Sequence, residues 1–215
     1  TLMNLDSEEE GAIYVGCSGG RDTLGTWKVP FEKIPAPYIA AEVSVKGLRG
    51  GHSGLEIDKG RGNAIKIINR VLMALGEEGV RLSSVNGGNK RNAIPRECVA
   101  QVFIPKTKVE TAKEIVAECN AIIKAELTTV EKDLIVSITE TPKIKKGKVV
   151  RKAHQKKILQ TIAGLPHGVV KMSADIPELV ETSTNVAVIN TTERAIVLAT
   201  SQRSSVASEI SEICQ

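Results

Sequence analysis

Between residues 38 and 138 the spacing of apolar side chains changes in a fixed order, and that order constrains the fold more than any other feature. Residues 38–48 alternate, with Ala41, Val43 and Val45 set against Glu42, Ser44 and Lys46, the period-two pattern of a half-buried strand. Ile67, Val71, Leu72 and Leu75 then recur at helical spacing over 63–75, and Gly76 and Gly79 end the run. Strands follow at 80–85 and 97–104, joined through the Gly87-Gly88 turn region as a hairpin. A long helix is predicted over 109–130, with Ile115, Ala117, Ile122, Ile123 and Leu127 on its apolar side, and a strand over 134–138. The order β-α-β-β-α-β predicts an α+β chain, a ferredoxin-like antiparallel sheet with helices on one face. Beyond a lysine-rich loop come a helix near 149–163, strands at 186–189 and 195–200, and a helix from Ser205. This α-β-β-α segment extends the first unit.

The N-terminal part reads differently. Residues 1–5 form a short apolar strand that stops at an acidic cluster, and 11–17 form a second extended run closed by Ser18-Gly19-Gly20. Pro30, Pro35 and Pro37 then predict linker or irregular chain, with a domain boundary near 20–37. The chain opens on Thr1 with no charged n-region or cleavage site, so it reads as a piece of a longer protein without a secretory signal.

Composition excludes several classes. Aromatic residues make up 2% of the chain, too few for the stacking platforms of single-strand or RNA binders. The net charge of +4 is concentrated in 143–157, and the 143–148 run reads as a solvated loop. No apolar run approaches the roughly 18 residues of a membrane span. Cys17, Cys98, Cys119 and Cys214 show no C-x-x-C pair, which fits buried thiols in a reduced compartment. These features predict a soluble, cytoplasmic protein.

Few residues are candidates for chemistry. Asp6 ends an apolar strand, where a carboxylate suits a divalent metal or simply caps a turn. No His or Asp stands at a convincing spacing to complete a site. His52 lies in Gly50-Gly51-His52-Ser53-Gly54, where small neighbours let an imidazole protrude or merely make a tight turn. His154 reads as a surface helix residue and His167 as a loop residue. Asn86-Gly87-Gly88-Asn89-Lys90-Arg91-Asn92 is dense in donors. Arg203 ends a strand where a guanidinium can hold a carboxylate by two parallel hydrogen bonds. Both also read as ordinary solvated loop chemistry.

Leu5-Asp6-Ser7-Glu8-Glu9-Glu10-Gly11, Lys46-Gly47-Leu48-Arg49-Gly50-Gly51-His52-Ser53-Gly54 and Asn86 through Glu97 resemble the aminoacyl-histidine dipeptidases, also called cytosol nonspecific dipeptidases, of the carnosinase and carboxypeptidase-like di-zinc superfamily. Glu181-Thr182-Ser183-Thr184-Asn185-Val186 is similar to the same family. The resemblance runs in order over essentially the whole chain. It implies a zinc-dependent dipeptidase, with residues 1–36 the end of its catalytic domain and linker and 37–215 its lid and dimerisation domain. It implies that Asp6 ligates one of two zinc ions, whose other ligands and glutamate base lie outside the chain. His52 matches the lid histidine that stabilises the oxyanion of the tetrahedral intermediate, in several relatives across a dimer. Asn92 and Arg203 fall where relatives bind the substrate's C-terminal carboxylate. In the intact enzyme two zincs would activate a bridging water and polarise the scissile carbonyl. The expected partners are a dipeptide and a second copy of the chain, with no nucleic acid or membrane, and these 215 residues alone are expected to be inactive. A stand-alone ferredoxin-like module that binds nucleic acid or senses a ligand is the competing reading.

Overall fold

The computed structural model describes residues 10–11, 16–141 and 147–215. In chain order these form β1 (Gly19–Lys28), β2 (Phe31–Lys33), β3 (Tyr38–Lys46), β4 (Gly51–His52), α1 (Ala64–Glu77), β5 (Arg81–Gly87), β6 (Ala93–Ile94) and β7 (Cys98–Pro105). There follow α2 (Val109–Glu126), β8 (Ile135–Glu140), β9 (Lys148–Val150), α3 (Lys152–Gly164), β10 (Gly168–Met172), β11 (Val180–Thr191), β12 (Ala195–Ser204) and α4 (Ala207–Glu212).

The main sheet runs β1-β12-β11-β5-β7-β3-β8, with β10 on β11, and every pairing is antiparallel. Its β5-β7-β3-β8 part is the expected β-α-β-β-α-β unit. β3 is sandwiched between β7 and β8, so Ala41, Val43 and Val45 are fully buried. α1 turns Ile65, Ile68, Leu72 and Leu75 into the same core. Its start is fixed by Asn63, whose Oδ1 accepts from Ile65 N and Lys66 N at 2.9 and 3.2 Å. α3 packs beside α1. The buried Gln155 of α3 donates to the Val80 carbonyl and accepts from Leu82 N, both at 2.9 Å, tying the helix to β5.

The α-β-β-α extension joins the same sheet, but narrowly. β11 meets β5 at a single register pair, Ile189 with Gly87. Thr191 reinforces the seam: its hydroxyl accepts from Val85 N at 2.8 Å and donates to the Val85 carbonyl at 2.9 Å.

Three expectations change. The stretch 20–37 is not irregular, because β1 pairs with β12 over ten residues and β2 pairs with β9. Gly19 and Gly20 open a strand, β1, and most of the extended run expected over 11–17 lies outside the described residues. Val149 and Val150 belong to β9, and α3 starts three residues later than a helix from 149. Arg203 lies inside β12, which runs four residues past the expected end at Thr200. Asp6, the strand expected over 1–5 and most of the lysine run lie outside the described residues. Among described residues no helix is long and apolar enough to cross a membrane.

Candidate functional site

The loop between β3 and α1 is held at both stems by one side chain. Glu131, 2% exposed, accepts from Arg49 N through Oε2 and from Gly62 N through Oε1, each at 2.8 Å. Inside the loop β4 pairs with β6, setting His52 opposite Ala93. Gly51 has φ +151°, and a Cβ there would stand 2.2 Å from Arg61 Nη1 and 2.5 Å from Glu56 Oε2. Only glycine fits this position.

The imidazole of His52 is half-buried and oriented by its own loop. Gly54 N and Leu55 N both donate to Nδ1 at 3.2 Å. A nitrogen that accepts cannot also carry the proton, so these bonds assign the neutral Nε2–H tautomer. Among described residues Nε2 has no hydrogen-bond partner, which leaves one N–H donor aimed outward.

Three further contacts bring the other candidates to this loop. Ser53 N donates to the Asn92 carbonyl at 2.9 Å. Asn185, 1% exposed on β11, donates through Nδ2 to the carbonyls of Arg91 and Ala93, at 3.2 and 2.8 Å, gripping Asn92 from both sides. Arg203, in register with Ser183 and Gly20, lays its guanidinium against Gly54, where a Cβ would sit 3.0 Å from Cζ. Its Nε is buried without a hydrogen-bond partner among described residues.

Two open recesses adjoin these residues. One of about 660 Å³ is lined by His52, Arg49, Arg96, Glu97 and Asn92 among others. The second, about 570 Å³, is lined by Asn92, Arg203, Arg21, Lys90 and Asp22 among others. Asn92 lines both, so His52, Asn92 and Arg203 are brought together. The excess of Arg and Lys around them favours an anionic group. Arg91 pairs with Asp22 at 2.5 Å at the rim, bridging the loop before β6 to β1.

The remaining histidines lie elsewhere. His167 accepts at Nδ1 near Asn63 Nδ2 (3.3 Å) and from Val186 N (3.4 Å). Burial, and secondarily the Lys66 charge, pull its pKa down to about 4. His154 is on α3 and lines neither recess. Among described residues no group of three or more His, Cys, Asp or Glu could hold a metal ion. Sequence reading passed over Glu56, Arg61, Glu131 and Asn185. Only Asn185 carried any signal, as part of the Glu181–Val186 motif.

Residues 43–131 match the peptidase dimerisation domain family. The chain is 38% identical over 196 residues to the cytosol non-specific dipeptidase of Escherichia coli (strain K12), covering 91% of this chain and 40% of that protein. The crystal structure of aminoacylhistidine dipeptidase from Vibrio alginolyticus superposes with a TM-score of 0.91 at 37% identity, over 97% of this chain and 42% of that one. Residues 43–131 of this chain carry a peptidase dimerisation domain. The chain spans about two-fifths of the length of these relatives. The matched domain runs from β3 to Glu131, so it includes His52, Asn92 and the carboxylate that clamps the His52 loop. Arg203 comes from the extension that follows it.

Proposed function

We propose that the chain is the lid and dimerisation segment of a cytoplasmic dipeptidase, in which His52 donates to the developing oxyanion while Asn92 and Arg203 hold the free carboxylate of a dipeptide. The convergence of Arg203 on Gly54, beside His52 and with Asn92 between the two recesses, is the observation that carries this reading. An Nε2–H donor suits charge that appears only in the transition state. A guanidinium that lines the second recess suits a carboxylate acceptor.

The division of the whole protein is part of the same proposal. Residues 1–36 complete a catalytic domain, although β1 already belongs to the lid sheet, and residues 37–215 form the lid that pairs with a second copy. Asp6 is assigned to one of two zinc ions. The described residues supply no such site. What this chain contributes is binding of the carboxylate and a donor at the oxyanion.

The test uses the full-length protein. Arg203→Lys should raise KM with kcat nearly unchanged, because an ammonium cannot reproduce two parallel donors. His52→Ala should lower kcat by roughly 100-fold. Amidating the dipeptide's C-terminus should erase most of the Arg203→Lys effect and leave that of His52→Ala intact. If the amide still separates Arg203→Lys from wild type as strongly as the acid does, the clamp assignment is wrong. The competing nucleic-acid reading predicts binding that weakens steeply between 50 and 200 mM salt.

A further inference from the structure

Glu56 holds His52 at both of its backbone groups. Its Oε2 accepts from His52 N at 2.8 Å, and its own N–H donates to the His52 carbonyl at 2.9 Å. Arg61 fixes that carboxylate in turn. One guanidinium nitrogen bonds Glu56 Oε1 at 2.5 Å and the other donates to the Gly50 carbonyl. The pair fills the space that a Gly51 side chain would occupy, so residues 50 to 52 cannot shift without displacing it. The His52 N–H, and after it the Arg61 pair, hold the Glu56 carboxyl below its ordinary pKa against the opposing effect of burial. Glu56 is thus an ionised acceptor at neutral pH.

Resting on the reading of His52 above, we propose that the Glu56–Arg61 pair is the positioning device that fixes the direction of the His52 Nε2–H donor. Among described residues the ring is held through Nδ1 alone, by two N–H groups of the same turn. That turn keeps its shape through Glu56. Neither Glu56 nor Arg61 lines either recess, so both act through His52 and not on a ligand.

In the full-length enzyme, Glu56→Ala should lower kcat for a dipeptide by about 10- to 100-fold with KM within about twofold, the cost of a donor displaced by about 1 Å. Glu56→Gln should recover part of this, since an amide oxygen still accepts from His52 N. Glu56→Ala added to His52→Ala should cost nothing more, because both remove one function. ¹⁵N spectra of the labelled histidines should show His52 as a single Nε2–H tautomer in wild type and as a mixture in Glu56→Ala. A multiplicative double mutant, or an unchanged tautomer in Glu56→Ala, overturns the proposal. If His52→Ala itself leaves kcat unaltered, the oxyanion role fails, and the tautomer spectrum alone then decides the positioning claim. Should Glu56→Ala not fold, Arg61→Lys serves: it keeps the charge, loses the fork to Gly50, and should lower kcat in the same direction.

Discussion

Removing the carboxylate of Glu131 should cost more stability than any other single change in the loop around His52. The perturbation is Glu131→Gln, which keeps the volume. Glu131 serves Arg49 N and Gly62 N, one through each oxygen, and is almost wholly buried. Two charge-assisted hydrogen bonds at about 1.5–3 kcal/mol each set the gross loss from deleting both at about 3–6 kcal/mol. Relief of the desolvated charge returns part of that, leaving a net cost of about 3 kcal/mol for Glu131→Ala. Glutamine retains one acceptor and turns an NH₂ toward the other N–H, so it should lose about half as much. Equilibrium urea unfolding is the assay. With a slope of about 2 kcal/mol/M, the midpoint should fall by about 1.5 M for alanine and about 0.7 M for glutamine. Amide exchange at Gly62 should accelerate more than the global change in both variants. If both midpoints move by less than about 0.3 M, the two backbone bonds do not hold the loop and the reasoning fails.

Two other outcomes are expected. His167 has a folded pKa near 4, below its unfolded value, so its stabilising effect is complete above about pH 6.5 and is lost as pH falls toward 4. Between pH 7 and 4.5 wild type should lose up to about 2 kcal/mol more unfolding free energy than His167→Gln; parallel pH profiles would refute this. Gly88 and Gly60 both have φ near +65°, but a Cβ on Gly88 would meet the Ala187 carbonyl oxygen at 1.9 Å while Gly60 faces open space. Gly60→Ala should cost about 1 kcal/mol and Gly88→Ala about 3 kcal/mol by thermal unfolding, and equal costs would show that β11 yields freely.

What could be read from the sequence is what leaves a local mark. Ala41, Val43 and Val45 alternate because β3 has partners on both edges and a core beneath. Asn63 precedes a helical run because it caps one. The glycines around His52 show because a backbone packed against Glu56, Arg61 and Arg203 has no room for side chains. β1 was missed because its residues Gly19 to Asp22 are polar or small and exposed; backbone pairing with β12 holds it, and pairing has no composition. Glu131 was invisible for a different reason. It sits 82 residues from Arg49, and nothing around it distinguishes a buried acceptor from an ordinary surface glutamate. Arg203 is singled out in the sequence by its place at a strand end and a short match, yet its meeting with Gly54 depends on β12 lying two strands from β5, an order that spacing along the chain does not encode.

The narrow seam between β5 and β11 lies directly beneath the recesses. His52 and Asn92 are carried by the loops of the β3–β8 unit, whereas Arg203 and Asn185 ride on the extension. A ligand that touches Asn92 and Arg203 together adds a clasp across a joint already held by one backbone pair, by Thr191, by Asn185 on the Arg91 and Ala93 carbonyls and by the Arg91–Asp22 pair. Tightening the joint and filling the recess are then one equilibrium seen from two sides: whatever strengthens either must strengthen the other by the same factor. Thr191, which lines neither recess, thereby becomes part of how firmly a ligand is held.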